Sequence, residues 1–146
     1  MKQTTPAARD LARQLLAQEA EGSAPSETEA HATLRTFEKI RRHMVKLVGV
    51  AGFQALLARA LALAKAEVSW LAAVKVRADG FLEGWSEAAQ PLDADTESKG
   101  SETLLAQLLG LLIAFIGEYL TLRLVRDVWP DASLNDISTS GEERPE

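Results

Sequence analysis

Apolar positions recur along this chain mostly with a helical period. Ala8, Leu11, Ala12, Leu15 and Leu16 follow the spacing of one helix face. Thr5 precedes them as a cap, and Pro6 takes the first helical position, where a missing N–H costs nothing. Gly22 and the Gly-Ser-Ala-Pro-Ser stretch predict a linker after this helix. Its apolar stripe is narrow, so loose docking of residues 1–25 is expected. A second helix opens on the capping box of Ser26 and Glu29. Ala30, Thr33, Leu34, Phe37, Ile40, Met44, Leu47 and Val48 share one face, and His31, Arg35, Lys39, Arg42 and Lys46 share the other. Such a division marks a surface helix laid over a core. It should end near Gly49, because Gly49-Val50-Ala51-Gly52 makes a poor helix interior.

A third helix is predicted from Gly52 or Phe53 to about Val68, with Ala55, Ala58, Ala62 and Ala66 along one side. Between Trp70 and Trp85 the period drops to two. Val74-Lys75-Val76-Arg77 alternates, Asp79-Gly80 is a favoured two-residue hairpin turn, and Phe81 and Leu82 supply a return strand. A short hairpin over residues 74–82 would have to pack on the helices or on another chain, since an isolated one is marginal in water. Residues 90–100 read as a polar loop. The last helix is expected from residue 101 to residue 128, where Trp129-Pro130 stops it. It is apolar over most of its circumference, which suits the central helix of a bundle. The fold class that follows is mainly α: about four helices, the C-terminal one central, with a possible short β-hairpin between the third and fourth. Residues 1–137 are expected to form one domain, and the acidic segment 138–146 a disordered tail.

Composition narrows the chemistry. Hydrophobic residues make up 47% of the chain and aromatics only 5%, so the core must be aliphatic and rich in Leu and Ala. The chain has no Cys, which excludes disulfides, thiolate catalysis and Cys-based zinc sites. A formal charge of −5 argues against general nucleic-acid binding. The N-terminal Met-Lys-Gln-Thr-Thr-Pro lacks the apolar core of a signal peptide, so a cytoplasmic location is expected. The longest uncharged apolar run, residues 104–117, is shorter than the roughly 20 residues that span a bilayer, so no transmembrane segment is expected.

Three features remain as candidate sites. Thr103, Gly110, Ala114, Gly117 and Thr121 form a stripe of small residues on the last helix. Glycine inside a helix costs about 1 kcal/mol relative to alanine, so Gly110, Ala114 and Gly117 suggest close approach of another backbone. That backbone is either the alanine side of the third helix or a second copy of the chain. Glu118 ends the apolar run and is a possible buried carboxylate, to be paired with Arg59, Arg77, Arg123 or Arg126, protonated, or held at a mouth open to solvent. Arg35, Lys39, Arg42 and Lys46 form a basic face that is either simply solvated or receives an acidic protein, an anionic membrane or a nucleic-acid backbone. Neither His31 nor His43 belongs to a metal-ligand pattern, and no phosphate-binding glycine loop or nucleophile elbow occurs. Trp70, Trp85 and Trp129 stand at element ends, where an indole can bury its ring and keep its N–H bonded. No catalytic residue, cofactor or metal is assigned. The reading that follows is a non-enzymatic interaction or adaptor module that docks a protein partner or itself. The alternatives are a helical domain holding a small apolar ligand near Glu118, and peripheral membrane attachment through the basic face of the second helix.

Overall fold

A computed structural model describes residues 6–21 and 28–130. The expectations for Thr5, Gly22, Ser26 and the tail 138–146 fall outside the described residues. In chain order the elements are α1 (Pro6–Glu21), α2 (Glu29–Glu67), a 3-10 turn (Ser69–Ala73), β1 (Lys75–Val76), β2 (Leu82–Glu83), α3 (Trp85–Ala89), α4 (Ala94–Ile116) and α5 (Glu118–Val128). The architecture is a mainly α bundle with a small two-stranded sheet. α4 is its centre, packing against α1, α2 and α5. Leu104, Leu105, Leu108, Leu109 and Leu112 are fully buried on it. α1 carries Leu11, Ala12 and Leu15 into the same core, deeper than its narrow stripe suggested.

α2 is capped by Thr28, whose hydroxyl accepts the His31 N–H at 3.2 Å. Its expected apolar face is buried through Phe37, Ile40 and Met44, then Phe53, Leu57 and Leu61. The break anticipated at Gly49 is a single residue at φ 81°, ψ 168° with helix on both sides. That backbone region is essentially restricted to glycine. The 50–67 half then runs to Glu67, close to the predicted end.

The hairpin exists, with Lys75 opposite Glu83 and Val76 opposite Leu82 in an antiparallel pair. Its loop is longer than the two residues expected. Arg77 N–H bonds Phe81 C=O at 2.8 Å and Gly80 N–H bonds Arg77 C=O at 2.9 Å. Gly80 at φ 88° closes this three-residue loop, and the Asp79 carboxylate accepts the Phe81 N–H at 3.2 Å. The hairpin is held to α2 by Arg41, which donates to Asp79 C=O at 2.8 Å and stacks its guanidinium 4.3 Å from the Phe81 ring centre.

Two expectations fail in the last third of the chain. The polar stretch 90–100 is largely helical: α4 starts at Ala94, with the Asp93 carboxylate accepting the Thr96 N–H at 2.8 Å. Asp95 and Glu97 then sit in the first turn, where the helix dipole favours acids. The short helix α3 precedes it and was also unforeseen. The single helix expected over 101–128 is in fact two, divided at Gly117 with φ 93° and ψ 160°. The Thr121 N–H and hydroxyl both donate to the freed Gly117 carbonyl, at 3.1 and 2.8 Å.

Candidate interaction surface

Two apolar stripes run on past the core that they build. Met44 is fully buried, yet Leu47, one turn along the same face of α2, is 62% exposed. Leu112 is fully buried, yet Phe115, one turn along α4, is 61% exposed. Each stripe crosses into solvent just before a glycine break, at Gly49 and at Gly117. The two breaks lie at the same end of the molecule. Lys46, Leu47 and Val48 face Ile116, Leu120 and Leu124 across a cleft of about 440 Å³. Leu120 in that cleft is exposed like Leu47, and Val50, Phe115 and Tyr119, close in sequence to Gly49 or Gly117, are exposed as well. A fully buried side chain of this kind contributes about 1.5–3 kcal/mol, so much of that gain is unrealised in the isolated chain. Large apolar patches on soluble domains mark contact sites.

Small residues extend this surface. Gly110 and Ala114 on α4 are exposed, as are Ala51, Ala55, Ala62 and Ala66 on the 50–67 half of α2. Among the described residues nothing lies within 4 Å of where a Cβ would stand on Gly110 or Gly117. The alanine side of α2 therefore does not cover the glycine stripe of α4. The stripe itself divides: Thr103 turns inward to Arg9 at 3.3 Å, Thr121 turns inward to the Gly117 carbonyl, and Gly117 serves as the break. α2 and α4 each contain an 18-residue stretch long and apolar enough to cross a bilayer by composition; 56% of that stretch is buried in α4 but only 28% in α2.

The charged candidates separate in the same way. Arg35 and Lys39 are not free members of a basic face, because both pair with Glu19 of α1, Lys39 at 2.9 Å. Glu19 is 6% exposed and also accepts the Trp129 indole N–H at 3.0 Å. Burial pushes its carboxyl up, but hydrogen bonds from Lys39, Arg35 and Trp129 outweigh that and hold it below its ordinary value. Arg42 and Lys46 remain exposed beside Leu47. Glu118, expected as a buried carboxylate, is exposed in the first turn of α5, because the Gly117 break turns it out of the apolar run. Among the described residues the buried acids are instead Glu19 and Glu97. Their positions were readable: Glu19 falls one turn past Leu15 on the apolar face of α1, and Glu97 one turn before Ser101 on that of α4.

His31 is exposed, and His43 Nδ1 lies 3.1 Å from the Lys39 carbonyl oxygen. Among the described residues no group of three or more His, Asp or Glu is disposed to hold a metal ion. Trp85 and Trp129 plug element ends in the core, and half-buried Trp70 meets Trp85 edge to face at 5.1 Å. The fold and surface thus define a small helical bundle with one apolar end left open. Compared with known proteins, the chain matches no family model, no curated protein and no solved structure.

Proposed function

We propose that this protein is a non-enzymatic interaction module whose open apolar end seats a second copy of the chain. The observation that carries the reading is the passage of both core stripes into solvent within one turn, from Met44 to Leu47 and from Leu112 to Phe115. A sequence patterned for a longer core than one chain builds calls for a partner that supplies the rest. Gly110 and Ala114 on the adjoining face allow another helix backbone to approach closely.

The charges around the patch favour a copy of this chain over a lipid surface. Arg42, Lys46, Arg123 and Arg126 are exposed near it, and so are Glu118 and Asp127. A rim carrying both signs can pair with itself across a two-fold axis. An anionic bilayer would attract the cations but would have to accept Glu118, which lies between Phe115 and Tyr119 in the sequence. Five exposed side chains on each of two copies, at about 1 kcal/mol each for partial burial, give on the order of 10 kcal/mol. That is comparable with the roughly 4–15 kcal/mol cost of association, so a concentration-dependent dimer is expected.

The test replaces apolar contacts by charge. Phe115→Glu and Leu120→Glu should each convert the dimer to monomer in sedimentation velocity with an unchanged circular-dichroism spectrum, while Glu87→Gln on the distant α3 leaves assembly intact. Pelleting of the wild-type chain with phosphatidylserine vesicles, lost in Phe115→Glu while the wild-type stays monomeric, would assign the patch to a membrane and reject self-association.

A further inference from the structure

Glu97 lies at the other end of α4 from the apolar patch and poses a separate problem. It is 9% exposed, and the one hydrogen bond that its carboxylate makes among the described residues is a long one, from Trp85 Nε1–H to Oε2 at 3.4 Å. Its other carboxylate oxygen has no partner among them. The charged group that acts on it is another acid, Glu29. Burial, followed by that like charge, pushes the Glu97 carboxyl above its ordinary value against the opposing Trp85 bond. Glu19 shows what the fold does when it neutralises a buried acid: it brings in Arg35 and Lys39. Among the described residues no such pair is brought to Glu97.

Glu97 lines a pocket of about 570 Å³ between the start of α2, α3 and the start of α4. Around it stand two hydroxyls, an amide, a second carboxylate and one imidazole: Thr28, Ser86, Gln90, Glu87 and His31. Ala30, Ala89 and Leu92 give it an apolar wall. Buried carboxylates are normally paired, because leaving one unpaired costs several kcal/mol. The position of Glu97 near the amino end of α4 eases its ionisation but supplies no hydrogen-bond donor to the free oxygen. The lining contains Glu87, Glu97 and His31 and no lysine or arginine. A divalent ion is a poor match, since no group of three or more metal-ligating side chains converges among the described residues.

We propose that this cavity binds a small organic cation, a primary ammonium on a short apolar stem, with the ammonium paired to Glu97 and the stem against Ala30, Ala89 and Leu92. The ammonium has two sources, a free amine or a lysine side chain of another protein, and both present the same head and stem. Glu87 at the rim adds a weaker second contact. The site is independent of self-association, because it uses none of the residues of the apolar end.

The Trp85 indole N–H provides the readout, being bonded to the carboxylate in question. The full chain labelled with ¹⁵N is titrated with n-butylammonium chloride, with Nα-acetyl-lysine amide, and with n-butanol as neutral control. A saturable shift of the Trp85 indole resonance is expected with the ammonium probes and none with butanol. Glu97→Gln, which keeps an oxygen for the indole to donate to, should weaken the response at least 10-fold, and Glu87→Gln should weaken it less. The stronger of the two ammonium probes assigns the source. No saturable shift with either ammonium probe, or an undiminished response in folded Glu97→Gln, overturns the proposal.

Discussion

Glu19 and Phe115 have exchanged the places that their chemistry would assign them. The acid is 6% exposed and the aromatic 61% exposed. The difference lies in what stands opposite each one. Glu19 sits where α1, α2 and the end of α5 converge, and that corner supplies Arg35, Lys39 and the Trp129 indole. Phe115 sits two residues before Gly117, where α4 stops and the chain turns into α5. One region is closed by its neighbours, and in the other a core stripe runs on into solvent. Burial in this fold is decided by the reach of adjacent elements, and side-chain polarity adapts to that. An acid can be stable inside when cations meet it, and an aromatic stands outside where neighbouring elements do not reach over it.

The largest expected effect sharpens the contrast along α4. Leu112→Ala should destabilise the chain by about 2–5 kcal/mol in urea unfolding, the range for truncating a fully buried leucine. At the closed corner, Glu19→Gln keeps an acceptor for Trp129 but removes the ion pairs to Arg35 and Lys39. Those partners are about a third exposed, so the loss should be about 1–2 kcal/mol near neutral pH. The pH dependence has a definite sign. Glu19 titrates below its ordinary value of 4.5 when folded, so the unfolded chain takes up its proton first as pH falls. The stability from this group is complete above that value and is lost on acidification, and Glu19→Gln should flatten this acid limb. Glu97, raised on folding, acts in the opposite sense: its contribution falls as pH rises above 4.5. The smallest effect is expected at the open end. Phe115→Ala should change the unfolding free energy of the dilute monomer by no more than about 0.5 kcal/mol, as surface substitutions do. A loss there as large as that of Leu112→Ala, measured below the concentration at which the chain associates, would erase the distinction between the two regions.

Much of the fold was legible in the sequence, and the misses share physical causes. The helical class, the Gly49 break and the hairpin all followed from local signals: apolar period, glycine placement and alternation. Gly117 was read as a packing residue because the apolar period passes straight through it, and a break at a glycine leaves no mark in periodicity. The start of α4 was missed because an acidic, polar stretch resembles a loop, although Asp93 ahead of Thr96 is a capping signal. The Glu19 pairs join residues distant in sequence, 16 positions to Arg35, 20 to Lys39 and 110 to Trp129, and no local pattern encodes them. The open end escaped notice for a related reason. Periodicity identifies the face that carries Leu47 and Phe115, whereas exposure depends on how far the neighbouring helices extend.

Self-association through the open end is tested most directly by the mass of the wild-type chain in solution, from light scattering behind size exclusion over a concentration series. The expected result is a rise from the 15.8 kDa monomer towards twice that mass as concentration increases. A mass fixed at the monomer value at every concentration would contradict the proposal that a second copy completes the core.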